Sequence, residues 1–263
     1  SDLITQGNAT LVSAGPCGLT LSYTAPGGTD NCANPVTANI GGLGAGPSYY
    51  EYGGTYTETW QVADQSGNTN TCSFTITVLD PIAPTITCPA DVTLNNDLGE
   101  CDAAVTYAYP YFGDNCPDYT LTQLSGPASG EEFPVGETTV SFQVSDNAGN
   151  PTVCAFTVTI QDKEKPVITQ CPADRVVNTN SNGTGDCSGA IPNLLPELIA
   201  SDNCSIASMK QTPASGNFGN AHNDVTFITL TVTDIYGNTQ TCQTKLTLRD
   251  NEVPTISASG VPT

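Results

Sequence analysis

Thr139-Val140-Ser141-Phe142-Gln143-Val144, then Asp146-Asn147-Ala148-Gly149-Asn150, then Ala155-Phe156-Thr157-Val158-Thr159-Ile160 after Cys154 carry the reading of this chain. The first and last runs alternate polar and apolar residues and are rich in β-branched side chains. Period two of this kind belongs to half-buried strands. The Asp-x-x-Gly-Asn between them is turn chemistry, because Asp and Asn side chains bond nearby backbone and Gly accepts positive φ. The same three-part stretch recurs around Asp64 to Asn68, between Thr57-Glu58-Thr59-Trp60-Gln61-Val62 and Ser73-Phe74-Thr75-Ile76-Thr77-Val78. It recurs again around Asp234 to Asn238, between Thr229-Leu230-Thr231-Val232 and Thr244-Lys245-Leu246-Thr247-Leu248. Trp60, Phe142 and Leu230 take equivalent positions and are expected in the core.

The cysteines follow the same repeat. Cys88, Cys101, Cys116 and Cys154 form one set, Cys171, Cys187, Cys204 and Cys242 the next, and Cys17, Cys32 and Cys72 a set without its first member. The third cysteine always closes an Asp-Asn-Cys triplet, at Asp30, Asp114 and Asp202. Turn signals such as Gly27-Gly28, Gly53-Gly54 and Pro134-Val135-Gly136 punctuate the short strands, and no stretch reads as a long amphipathic helix. The expected fold is all-β: three tandem immunoglobulin-like antiparallel β-sandwich domains in a rod-like array. Their boundaries are 1–80, 81–162 and 163–250, joined by short proline-containing connections that restrict motion. Residues 251–263 read as a linker or the start of a fourth repeat, because Val253-Pro254-Thr255-Ile256-Ser257 matches Ala83-Pro84-Thr85-Ile86-Thr87. With neither an initiator Met nor a signal peptide, the chain reads as a processed product or a piece of something longer.

Composition bounds the function. The chain has 263 residues and a net charge of −20, with six basic residues against 26 acids. Without a cationic surface, nucleic acid is not expected as a partner. No run of 18 apolar residues exists, so membrane insertion is not expected either. Eleven cysteines without a Cys-x-x-Cys pair point to disulfides in an extracellular or cell-surface setting, where small domains supplement modest cores. His222 is the single histidine, and no nucleophile elbow or P-loop occurs. Gly41-Gly42-Leu43-Gly44-Ala45-Gly46 reads as a flexible loop. No enzymatic activity is expected.

In the second repeat, Pro84-Thr85-Ile86-Thr87-Cys88-Pro89, Asp114-Asn115-Cys116, Val135-Gly136-Glu137-Thr138-Thr139-Val140, Asp146 to Asn150 and Cys154 to Asp162 occur in order. This string resembles a hyalin repeat (HYR) domain. The third repeat departs from it at Gly219-Asn220-Ala221-His222, and the first at Tyr52-Gly53-Gly54-Thr55-Tyr56. The resemblance implies an immunoglobulin-like fold and a role in cell adhesion, as in the large surface adhesins of gliding and marine bacteria.

Four cysteines per repeat allow three connectivities. In the implied sandwich, the loop after the second strand and the loop before the last share a pole, which pairs the third cysteine with the fourth. The expected bonds are Cys32–Cys72, Cys116–Cys154 and Cys204–Cys242, leaving Cys88–Cys101 and Cys171–Cys187. Cys17 is left over, either because Ser1-Asp2 aligns with Ala90-Asp91 and its partner precedes it, or because this repeat never had one. The same pole is expected to gather Asp80, Asp114 and Asp146 in the second repeat, and Asp162, Asp202 and Asp234, with Glu164, in the third. Asn115, Asn150, Asn203 and Asn238 could add carbonyl oxygens. Two readings stand side by side: these are turn residues, or they are oxygen ligands holding Ca²⁺ at the inter-domain poles.

The function expected is an extracellular structural or adhesive segment of a cell-surface filament, a disulfide-stapled semi-rigid spacer. Its partners would be neighbouring copies or subunits of the same filament, with fibre assembly through a strand-like Val253-to-Thr263 tail. The alternative is a module that binds a surface glycan or protein receptor through domain loops. Tyr49, Tyr50, Tyr52 and Tyr56, or Tyr107, Tyr109 and Tyr111, are its candidate aromatic surfaces.

Overall fold

The computed structural model describes residues 9–12, 17–32, 34–180 and 187–254. Thr255 to Thr263, most of the expected fibre-forming tail, lie outside them. Among the described residues every element is a strand except one short 3₁₀ turn, Leu195–Glu197. The chain is all-β, with immunoglobulin-like sheets in tandem. Three four-stranded sheets share one order. In the first, Ala9–Val12, Thr69–Leu79, Thr55–Ala63 and Val36–Gly41 lie side by side. The second contains Val92–Asn95, Pro151–Gln161, Gly136–Asp146 and Tyr119–Ser125. The third contains Arg175–Asn178, Thr239–Arg249, Val225–Asp234 and Ile206–Thr212. Small two-stranded sheets accompany them, such as Gly18–Leu21 with Ser48–Glu51 and Val167–Gln170 with Ile199–Ser201.

The quoted stretch folds as its alternation requires. Along Gly136–Asp146, Val140, Phe142 and Val144 turn inward, while Thr139 and Ser141 stay partly exposed. Asp146 to Asn150 is a tight turn, with Asn150 N donating to Asp146 Oδ1 at 2.7 Å and Gly149 at φ 90°. The core positions inferred from the repeat are occupied as expected: Trp60, Phe142 and Leu230 are buried. Truncating such a side chain to Ala typically costs about 2–5 kcal/mol.

Two features depart from expectation. First, the sheets are not wholly antiparallel. The leading edge strand runs parallel to the last strand, with Ala9 opposite Ile76 and Arg175 opposite Leu246. Second, the cysteine pairing differs. The bonds are Cys88–Cys154, Cys171–Cys242, Cys17–Cys116 and Cys101–Cys204. None of Cys32–Cys72, Cys116–Cys154, Cys204–Cys242, Cys88–Cys101 or Cys171–Cys187 forms, and Cys32, Cys72 and Cys187 are free and exposed.

The parallel edge explains the first class of bond. Counting back four residues on both strands from Arg175 and Leu246 reaches Cys171 and Cys242, so the first cysteine faces the fourth across the ladder. Ser1 and Asp2, whose alignment bears on the missing first cysteine of the first repeat, lie outside the described residues. The second class joins successive repeats: the second cysteine of one repeat bonds the third cysteine of the next.

The chain divides into two compact units. One holds 1–92, 106–131 and 138–158, and the other holds 93–105, 132–137 and 159–263. Each joint-spanning bond falls inside one unit: Cys17–Cys116 in the first, Cys101–Cys204 in the second.

One buried charge organises the first repeat. Glu58 stands where Val140 and Ile228 stand in the other repeats, and it is fully buried. Its carboxylate accepts from Leu43 N and Gly44 N at 2.9 Å, Tyr23 Oη at 2.8 Å, Tyr50 Oη at 3.1 Å and Asn39 Nδ2 at 3.3 Å. Burial by itself would raise its pKa; these donors outweigh burial and hold the carboxyl below its ordinary value. The glycine run read as a flexible loop is therefore an ordered cradle for an internal anion. Gly42 sits at φ 90°, and a Cβ there would meet the Glu58 Cδ at 2.6 Å.

Candidate metal centre

Each acidic turn of the third repeat uses one carboxylate oxygen to close itself. Asp202 Oδ2 accepts from Cys204 N and Ser205 N at 3.1 Å. Asp234 Oδ1 accepts from Tyr236 N and Asn238 N at 2.8 Å. Asp162 Oδ1 accepts from Glu164 N at 3.0 Å. The other oxygens, Asp162 Oδ2, Asp202 Oδ1 and Asp234 Oδ2, are buried and have no hydrogen-bond partner. The three carboxylates each present an oxygen within 4.8 Å of the others. Asp162 and Asp234 are only 5% and 2% exposed. Turn residue and candidate ligand are thus the same residue, with one oxygen for each task.

Three carboxylates this close repel one another strongly unless a cation or a proton intervenes. Burial first, and then the Asp234 and Asp202 charges, push the Asp162 carboxyl above its ordinary value. Hydrogen bonds from Glu164 N and the Asn203 amide, which also donates to Glu100 O at 2.8 Å, act in the opposite direction. No basic side chain answers the cluster: the one ion pair among the described residues is Arg175 with Glu197, on an exposed surface. Oxygen-only donors in turns suit a hard cation such as Ca²⁺, with backbone carbonyls and water completing its shell. Zinc would want nitrogen or sulfur.

Glu164 does not join the cluster. Its Oε1 accepts from Asn96 Nδ2 at 3.2 Å and Gly99 N at 2.7 Å, fastening a loop of the preceding repeat to the joint. Asn238 Nδ2 donates to Asp162 O at 3.2 Å. The Cys101–Cys204 bond and the Asn203–Glu100 hydrogen bond close the same joint.

The second repeat builds a poorer version. Asp80, Asp114 and Cys116 come together, and Asp114 Oδ1 and Asn115 Oδ1 are buried without partners. Cys116 Sγ lies 3.1 Å from Asp80 Oδ2, yet a disulfide sulfur has no proton to donate and is no thiolate ligand. Asp80 is otherwise served by Ile82 N at 3.0 Å and Asn115 Nδ2 at 3.2 Å. Asp146 is expended on Asn150, whose N and Nδ2 both sit at 2.7 Å from its two oxygens. In the first repeat Asp64 is half-buried and makes the same internal bonds with Asn68.

The proposed aromatic surfaces divide. Tyr50 and Tyr107 are buried, and Tyr56 stacks edge-on against Tyr50 with ring centroids 4.9 Å apart. Tyr109 and Tyr111 are 63% and 84% exposed. Tyr49 and Tyr52 line a cleft of about 310 Å³ together with Cys17, Asp80, Cys116 and Asp118.

Known proteins resemble the chain over most of its length. Hyalin of Strongylocentrotus purpuratus is 34% identical over 177 residues, covering 66% of this chain and 14% of that protein. Hyalin of Lytechinus variegatus is 27% identical over 254 residues, covering 94% of this chain and 46% of that protein. A sushi, von Willebrand factor type A, EGF and pentraxin domain-containing protein 1 from Rattus norvegicus is 28% identical over 187 residues, 69% of this chain and 5% of that protein. The chain therefore spans less than half of each relative, and these relatives are animal proteins. Among solved structures, Drosophila N-cadherin EC1-3 overlays with a TM-score of 0.38 at 12% identity, over 94% of this chain and 98% of that one. Residues 79–160, the second repeat, match the family model of the HYR domain.

Proposed function

We propose that this chain is a non-enzymatic, extracellular adhesive or structural segment, in which domains 1–80, 81–162 and 163–250 act as a semi-rigid spacer within a cell-surface filament. The observation that supports it best is covalent: Cys17–Cys116 and Cys101–Cys204 join one repeat to the next. A peptide joint alone leaves neighbouring domains free to reorient, since inter-domain motion is the default. A disulfide a short distance from that joint removes the swivel. In this reading Ca²⁺ binds between Asp162, Asp202 and Asp234 and stiffens the joint further. The HYR match and the hyalin relatives favour an adhesion setting; the filament role is our inference.

Small-angle scattering tests the spacer. The oxidised chain should show a narrow distribution of maximum dimension that broadens in the Cys101→Ser/Cys204→Ser variant with its domains still folded. An unchanged distribution would remove the argument for stiffness. A second reading, a glycan- or protein-binding module, is favoured by the exposure of Tyr109 and Tyr111. Glycan-array binding lost in Tyr109→Ala/Tyr111→Ala, with unchanged scattering, would select it.

A further inference from the structure

We propose, resting on the calcium reading of Asp162, Asp202 and Asp234, that the Cys101–Cys204 disulfide controls that site: oxidation of this cysteine pair and uptake of Ca²⁺ are coupled. Three buried oxygens without partners, Asp162 Oδ2, Asp202 Oδ1 and Asp234 Oδ2, mark the place as more than a solvated acidic surface.

The carboxylates come from both sides of a joint. Asp162 directly follows the last strand of the second repeat, Pro151–Gln161. Asp202 follows Ile199–Ser201 and Asp234 closes Val225–Asp234, both in the third repeat. One loop, Asn96 to Cys101, grips both sides. Asn96 Nδ2 and Gly99 N donate to Glu164 Oε1, and Lys163 N donates to Asn96 Oδ1 at 3.1 Å, which fixes the segment carrying Asp162. Cys101 is bonded to Cys204, and Asn203 Nδ2 donates to Glu100 O, which fixes the turn carrying Asp202. Cys204 N donates to Asp202 Oδ2, so the bonded cysteine itself orients that carboxylate. The Asp234 turn leans on both: Asn238 Nδ2 donates to Asp162 O, and Ile235 N donates to Ser205 O at 3.1 Å. All of these residues lie in one compact unit.

The disulfide is the covalent tie in this ring. Gathering three carboxylates before an ion arrives works against their repulsion. The oxidised chain meets Ca²⁺ with its ligands already assembled, whereas the reduced chain must assemble them on binding. Outer-shell ties to metal ligands typically change metal affinity about 10–100-fold. Linkage is reciprocal, so calcium favours the oxidised pair by the same factor. A tenfold factor corresponds to about 30 mV for this two-electron couple. Both cysteines are half-buried, and a small dithiol can reach the bond. One of its thiolates attacks a sulfur of the pair and expels the other cysteine; its second sulfur then displaces the first. The protein pair gains two electrons and two protons, and the dithiol loses the same and closes to a cyclic disulfide.

The test takes the full oxidised chain in mixtures of reduced and oxidised dithiothreitol, with saturating calcium or with chelator. Differential alkylation and peptide mass spectrometry read each disulfide. Calcium should move the midpoint of Cys101–Cys204 by about 30 mV or more toward resistance to reduction. In Asp234→Asn the bond should still form and its midpoint should ignore calcium. In calorimetry, the part of calcium binding that Asp234→Asn removes should weaken about tenfold in Cys101→Ser/Cys204→Ser. A midpoint indifferent to calcium, a shift that survives Asp234→Asn, or equal affinity with and without the bond would overturn the coupling. The midpoint is read on the unsubstituted chain, so misfolding of the Ser variant does not shield the idea. Calcium uptake without coupling leaves the calcium reading standing; absence of any Asp234-dependent uptake removes that reading and the coupling together.

Discussion

Replacing Asp234 by Asn separates a calcium ligand from a turn residue. Asn keeps an oxygen for the Tyr236 and Asn238 amides, which Asp234 Oδ1 now serves, and removes the charge carried toward Asp162 and Asp202. At a separation of up to 4.8 Å and an effective dielectric near 20, one pair of like charges repels by at least about 3.5 kcal/mol. Without a cation the Asp234→Asn variant should therefore be the more stable protein. With calcium the gap should narrow, because the unsubstituted chain gains stability from the ion that the variant does not. A site with an affinity of about 0.1–1 mM gains about 1.4–2.7 kcal/mol at roughly 10 mM Ca²⁺. For a domain of this size that corresponds to a rise of about 6–20 °C in melting temperature.

The assay is calorimetry of the whole chain in calcium and in chelator, paired with hydrogen exchange on peptides covering 202–205 and 234–238. Asp64→Asn serves as the control: it alters the same turn motif in a residue whose carboxylate is bonded within its own turn, so it should leave the calcium increment intact. Equal melting of the unsubstituted chain in both buffers would refute the cation. So would an Asp234→Asn loss of the same size in both, which would make Asp234 a turn residue and nothing else.

Three further outcomes are expected. Alkylation of the unreduced, folded protein should modify Cys32, Cys72 and Cys187 and leave the other eight cysteines intact, read by peptide mass spectrometry. The first repeat should lose stability at both ends of the pH scale. Glu58 lies below its ordinary 4.5, so its contribution is complete above that pH and fades as pH falls through the lowered value. Burial and the hydrogen bond to Glu58 push Tyr23 up to about 12, so its contribution is complete below pH 10.0 and is lost as pH rises toward 12. Denaturant titrations across pH should show both limbs, and Glu58→Gln should flatten the acid one. Gly42→Ala should destabilise the same repeat by about 1–3 kcal/mol, since it forces a side chain to positive φ against the Glu58 carboxyl; an unchanged melting curve would mean that the cradle tolerates a Cβ.

Local pattern made the strands and their inward faces legible, because alternation is a property of a few consecutive residues. Trp60, Phe142 and Leu230 could be placed that way, and so could the Asp-x-x-Gly-Asn turns. Cysteine partners could not. Spacing within one repeat cannot distinguish a bond closed inside it from one closed across the joint, and the parallel edge strand that sets Cys171 against Cys242 leaves no mark in the alternation. Glu58 does leave a mark in the sequence: an acid in an inward-facing position where the other repeats carry Val140 and Ile228. Its neighbouring glycine run then had a physical reason, since backbone N–H groups aimed at a carboxylate need the left-handed conformations that glycine supplies.

The acidic poles show most clearly where sequence stops. Asp146 and Asp234 open the same motif in equivalent turns. In one, the Asn150 amide folds back onto the second oxygen of Asp146. In the other, the Asn238 amide donates to Asp162 O, as Asn150 also does to Asp80 O, but makes no bond to the second oxygen of Asp234, which is left facing two other carboxylates. The motif therefore specifies a turn, and whether the asparagine amide also bonds the second aspartate oxygen decides whether that oxygen is left open. A repeat can carry the complete signature and still leave its turn aspartate with both oxygens hydrogen-bonded, as Asp146 does, so the motif alone does not extend a calcium proposal from one repeat to the next.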